Sequence, residues 1–105
     1  MNLRVGLAQI NPRLGDVEAN LELHLATIED AASQGVELLV FPELSLTGYR
    51  LRDIAFDVAL TPSYKDPVFA RLLDASRDMD IVVGFVEMDR RQKFYISAAY
   101  LSRGE

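Results

Sequence analysis

The sequence predicts an α/β domain that begins with a βαβ unit and ends in a β-hairpin. Three observations carry that reading. Short apolar runs flank an amphipathic helix, each junction bears turn residues, and two closing apolar segments are separated by a polar turn around Arg90-Arg91-Gln92-Lys93.

The first strand is expected over Leu3 to Ile10. Leu3, Val5 and Leu7 face one way, and Gly6, Ala8 and Ile10 the other. A strand apolar on both faces belongs inside a sheet covered on both sides. Asn11-Pro12-Arg13-Leu14-Gly15 is turn chemistry, with Asn11 serving the Asn-Pro turn. Asp16 is placed to cap the next helix, and Glu18 suits the positive end of its dipole. Val17, Leu21, Leu25, Ile28 and Ala32 form one helical stripe, and Gly35 closes it as a C′ glycine. Leu38 to Phe41 is the second strand. Strand, helix, strand makes the two strands parallel with a right-handed crossover.

A short helix is expected around Ile54 to Val58, and Pro62 and Pro67 bracket a loop. Val68, Leu72, Ala75 and Met79 define a second amphipathic helix, with Arg71, Asp74 and Arg77 outward. Ile81 to Val86 is a third buried strand, and Phe94 to Leu101 pairs with it as a hairpin. With no repeat or linker, residues 1–105 read as a single domain.

Composition narrows the function. The formal charge of -5 argues against a nucleic-acid or anionic-membrane surface, both of which need a basic patch. There is no cysteine, which removes disulfides, thiolate metal sites and a cysteine nucleophile within these residues. One histidine, His24, cannot build a histidine-rich metal site, and its place beside Leu23 and Leu25 reads as a surface or boundary position. No run approaches the ~18 apolar residues of a membrane span. The amino-terminal apolar run is too short for a signal peptide, so a cytoplasmic location is the expectation. Nothing calls for a metal or an organic cofactor.

In an open parallel sheet, ligands bind outside the carboxyl ends of the strands. Gln9 to Asn11, Glu43 and Glu87 reach that edge. The first turn holds no GxGxxG or GxxxxGK[ST] motif, so a phosphate cradle is not expected. Glu43 is the candidate on position. Pro42 sets the direction of the exit from strand two, and Phe41, Leu44 and Leu46 are placed to keep water away. A glutamate tuned to about 6–7 by burial can take and return a proton near neutrality. The competing reading is a strand-end glutamate capping the next turn. Glu87 reads as a hairpin residue. Tyr49, with Thr47, is a weak candidate for contacting substrate at a pocket mouth.

The segments "VGLAQINPRLGDVEANL", "GVELLVFPELSLTGY", "DIVVGFVE" and "SAAYLSRG" together resemble the amino-terminal part of the nitrilase superfamily, the carbon–nitrogen hydrolases. The resemblance covers essentially the whole chain and is most specific at FPE-x-x-x-x-GY. It extends to the glutaminase domains of glutamine-dependent NAD synthetases. It implies the amino-terminal part of a four-layer α-β-β-α sandwich and a Glu–Lys–Cys triad in which Glu43 is general base for a thiol. The substrate class implied is a small amide or nitrile, and a homo-oligomer is implied for the complete protein.

The family lysine is expected shortly beyond Glu105 and the cysteine later still. Lys65 and Lys93 do not occupy the family position. Relatives commonly carry asparagine where Ile96 stands. The expectation is therefore a single incomplete hydrolase domain, inactive as residues 1–105 alone. The alternatives are the glutaminase domain of an NAD synthetase, a non-catalytic α/β fragment or module, and a flavodoxin-like ligand-binding domain.

Overall fold

A computed structural model of the chain describes residues 3–48 and 59–105. Its elements run β1 (Val5–Leu7), α1 (Val17–Ser33), β2 (Leu38–Val40), α2 (Pro67–Ala75), β3 (Asp80–Met88) and β4 (Phe94–Leu101). They form one sheet in the order β1-β2-β3-β4, parallel from β1 to β3 and antiparallel between β3 and β4. The βαβ start and terminal hairpin are thus present. The short helix expected around Ile54 to Val58 lies outside the described residues.

Local chemistry sets the element ends. The Asp16 carboxylate accepts from the Ala19 amide at 3.0 Å and caps α1. At the other end Gly35 adopts φ +77°, its amide donates to the Ala32 carbonyl, and the Val36 amide donates to the Ala31 carbonyl. These two bonds are a Schellman closure, and its left-handed residue is where glycine is favoured. Asp66 caps α2 by accepting from the Val68 and Phe69 amides, and Pro67 occupies the first turn.

α2 stops at Ala75, short of the expected Met79. The Ser76 hydroxyl donates to the Leu73 carbonyl at 2.7 Å, while the Ser76 carbonyl accepts from the Arg103 amide. That exchange takes the chain out of the helix, and Met79 reaches the core from the following turn.

The strand order advances in one direction, so crossovers of one hand place both helices on the same face. Arg71 and Glu22 join α2 to α1 at 2.6 Å. Beneath them lie Leu21, Ile28, Leu39, Leu72, Ile81 and Val83, all buried. Phe69 of α2 meets Phe85 of β3 edge to face at 5.0 Å between ring centres.

β1 departs from expectation. It is three residues long and lies at the sheet edge, with Leu7 77% exposed. Side chains alternate across a strand, so Val5 and Leu7 point away from the helices. Ile96 and Tyr100 of β4 share that opposite face and are 65% and 59% exposed. Among the described residues no helix covers this face, and only the segment after β2 crosses part of it, over Gly84. The apolar character of both sides of β1 was legible, but its cover on the second side is not supplied here.

The helix-side core makes a direct prediction. Leu72 is fully buried, so Leu72→Ala should cost roughly 2–5 kcal/mol in urea unfolding. A loss below about 1 kcal/mol would mean that α2 does not seal this face.

Candidate active site

The site is built where β2 hands its place beside β3 to a tight turn. The Phe41 amide still donates to the Val82 carbonyl at 2.9 Å, as a ladder residue would. The Leu46 amide then donates to the Gly84 carbonyl, also at 2.9 Å. Between them residues 42–45 arch over Gly84. A Cβ added to Gly84 would lie 2.5 Å from the Leu44 nitrogen and 2.8 Å from the Pro42 oxygen, both backbone atoms that cannot swing aside. Glycine in the middle of an apolar strand here marks a close approach of backbone to backbone.

The arch is tightened by Leu44, which takes the left-handed conformation at φ 54°. Its carbonyl accepts from the Thr47 and Gly48 amides, at 3.2 and 2.7 Å. This geometry sorts the side chains. Phe41, Leu44 and Leu46 turn inward and are buried, whereas Glu43 is exposed. The expected apolar shield is present in residue type but lies beneath Glu43, not over it.

The arch overhangs the sheet face opposite the helices. Glu43, Pro42, Gly84, Ile96, Ser97 and Ala98 contribute to an open groove of about 300 Å³ there. Ile96 keeps its ladder position opposite Val86 and presents its side chain to the groove.

The other edge candidates do not converge on Glu43. Glu87 pairs across the hairpin with Tyr95, and its carboxylate accepts from the Ser97 hydroxyl at 2.8 Å, the role of a hairpin residue. Gln9 and Asn11 are exposed and do not line the groove. Lys65 and Lys93 are exposed and also lie off it. Thr47 is buried beneath the turn, and Tyr49 lies outside the described residues. Among the described residues no group of three or more His, Cys, Asp or Glu is arranged for a metal ion. No helix among them is long and apolar enough to cross a membrane.

His24 corrects the sequence reading. It is fully buried, stacked on Phe41 with ring centres 4.2 Å apart. The fully buried stripe of α1 runs Asn20, Leu21, His24, Ile28 and Ala31; Leu25 packs half-buried against the core, and Ala32 is exposed. Two polar residues on the inner face disguised that stripe, and the four-residue spacing of Asn20 and His24 was the available signal. Each is fully occupied. The Asn20 amide group donates to the carbonyls of Arg13 and Leu46, at 2.7 and 2.9 Å, and its oxygen accepts from the Arg13 amide. His24 Nδ1 lies 2.6 Å from the Asn20 carbonyl and Nε2 lies 2.8 Å from Ser45 Oγ. Burial lowers the His24 pKa to about 4, against a smaller opposing effect of the Asn20 carbonyl.

The chain as a whole matches a known family. A model described as carbon-nitrogen hydrolase matches residues 4–105. The chain belongs to the carbon–nitrogen hydrolases. It is 35% identical to the glutamine-dependent NAD(+) synthetase of Thermotoga maritima over 98% of its own length and 18% of that enzyme's. The synthetase of Acinetobacter baylyi is 29% identical, with 98% of this chain and 19% of the relative covered. Among solved structures, an amidase from Nesterenkonia sp. superposes with a TM-score of 0.81 at 27% identity, covering 98% of this chain and 40% of the amidase. The chain therefore spans less than a fifth of the curated synthetases it matches. The neighbours share the nitrilase fold, in agreement with the α/β architecture read from the sequence.

The buried imidazole gives this hydrolase domain a pH signature. The unfolded state binds a proton near pH 6.5 and the folded state only near 4. Stability linked to His24 is fully present above the unfolded value and declines as pH falls toward the folded one. Between pH 7 and 4.5 this amounts to roughly 2 kcal/mol. Comparing urea unfolding at both pH values, wild type should lose about that much more than His24→Phe. Equal losses would show that His24 is not held neutral.

Proposed function

We propose that residues 1–105 supply the general base of a thiol-dependent carbon–nitrogen hydrolase acting on a non-peptide amide or nitrile, with Glu43 as that base. The observation that carries this reading is the arch over Gly84. It places a carboxylate at the carboxyl end of a central parallel strand, beside an open groove. Ligands of open α/β sheets bind at such strand ends.

The chemistry asks little of Glu43 beyond position and access. A cysteine thiol from residues outside 1–105 would give its proton to Glu43, and the thiolate would attack the amide carbon. A lysine, also from outside, would stabilise the tetrahedral oxyanion. Return of the proton to the leaving nitrogen releases the amine and leaves a thioester. Water, deprotonated by the same carboxylate, then frees the acid and regenerates the thiol. With a nitrile the first adduct is a thioimidate.

Two features support the reading that this is part of a larger domain. The bare sheet face carrying Val5, Leu7, Ile96 and Tyr100 is apolar and exposed. The coverage of relatives is also low. A second sheet laid on that face would bury these residues, complete a four-layer sandwich and enclose Glu43. Residues 1–105 alone are then inactive. Assembly of the complete protein as a homo-oligomer belongs to the same reading.

A second reading specifies the substrate as glutamine, with the released ammonia passed to a synthetase domain. The synthetase names of the curated relatives favour it. Assays of the full-length protein with glutamine and with small aliphatic amides separate the two. In either case Glu43→Gln should lower hydrolysis by about 10²–10⁴-fold without loss of fold by circular dichroism. Activity within a few-fold of wild type would remove Glu43 as the base.

A further inference from the structure

The hydrogen bonds below the arch have a fixed direction. A carbonyl oxygen only accepts, so the 2.6 Å contact with Asn20 puts the imidazole proton on Nδ1. Nε2 is then an acceptor, and the Ser45 hydroxyl donates to it at 2.8 Å. With its proton committed, Ser45 Oγ is free to accept from the Gly84 amide at 3.3 Å. The chain of bonds reads Gly84 N–H to Ser45 Oγ, Ser45 O–H to His24 Nε2, and His24 Nδ1–H to the Asn20 carbonyl. It joins β3, the foot of the arch and α1.

We propose that His24 is a positioning residue for Glu43, acting through Ser45 on the left-handed turn at Leu44. The inference rests on the reading of Glu43 as the catalytic base. Leu44 holds a conformation costly for a branched side chain, and such geometry persists only when its surroundings over-determine it. Ser45 is the next residue and is fully buried. Among the described residues its hydroxyl has one other acceptor within range, the Gly84 carbonyl at 3.5 Å, and that oxygen already accepts from Leu46. Without Nε2 the hydroxyl has only this longer contact, and its hold on Gly84 N–H weakens. Glu43 itself is exposed and makes no part of the chain of bonds. The device therefore sets backbone position and carries no proton to the carboxylate.

The alternative is that His24 merely fills the core against Phe41. His24→Phe separates the two, since it keeps volume and stacking and removes the acceptor. His24→Gln retains an acceptor that can reach Ser45, and Ser45→Ala removes the intermediary. In the full-length protein, hydrogen–deuterium exchange of peptides covering residues 42–48 reports the arch. Hydrolysis reports Glu43. His24→Phe and Ser45→Ala should each speed exchange there about tenfold, the scale of one lost buried hydrogen bond. Exchange in α1 and β4 should be unchanged. The kcat should fall by a similar factor with KM within about twofold, and His24→Gln should recover most of both. Wild-type exchange at 42–48 in both His24→Phe and Ser45→Ala, or loosening spread evenly over the fold, would overturn the proposal. If His24→Phe does not fold, Ser45→Ala decides alone. Failure of the catalytic reading is separately visible, because Glu43→Gln would then stay active whatever the exchange shows.

Discussion

The close contact between the 42–44 backbone and Gly84 is the constraint on which the rest of the site depends. Because the strand carries no side chain there, the exit from β2 can fold back over the sheet instead of running on past it. The fold-back needs a left-handed leucine, which costs about 1–2 kcal/mol. Against this stand the burial of Leu44 and Leu46, each contributing roughly 1.5–3 kcal/mol. The bonds from Thr47, Gly48 and Leu46 amides add to that side. Burial wins, so the turn holds as a ledge with its charged residue, Glu43, outward.

The two faces of the sheet divide the work. One is sealed by α1 and α2, and polar groups admitted to it are fully partnered: among the described residues no buried side-chain nitrogen or oxygen lacks a hydrogen bond. Asn20 and His24 are the cost of that arrangement, since they occupy core positions where leucines would pack more simply. In return they tie the loops at Arg13 and at Ser45–Leu46 to one helix. The opposite face stays apolar and open, and it is the face over which the arch is built.

Much of this was legible from residue types. Asp16, Gly35 and the 3.6-residue pattern announced α1, and the polar turn before Phe94 announced the hairpin. The apolar run into Pro42-Glu43 pointed to the site. Leu21 and Ile28 were read correctly onto the inner face of α1; what escaped was its polar part, because hydrophobic periodicity passes over an asparagine and a histidine that satisfy their polar atoms internally. The exposure of Glu43 escaped for a different reason. Its apolar neighbours were visible, but the side to which each turns depends on the left-handed Leu44 and on Gly84, forty residues later in the chain. Gly84 did leave a signal, a glycine interrupting "IVVGFV", whose meaning needs a partner segment that only the fold supplies. The length of β1 was overread because apolar character continues past Leu7 after the pairing with β2 has ended.

The most direct measurement is a high-resolution structure of the Gly84→Ala variant. The account predicts that the added methyl group lifts residues 42–44 off β3 and displaces Glu43, while the β2–β3 and β3–β4 ladders keep their register. The strain of such an insertion is roughly 1–3 kcal/mol, small enough for the variant to fold. A structure with the methyl group seated and the arch unmoved would contradict it, and the position of Glu43 would then have to come from elsewhere.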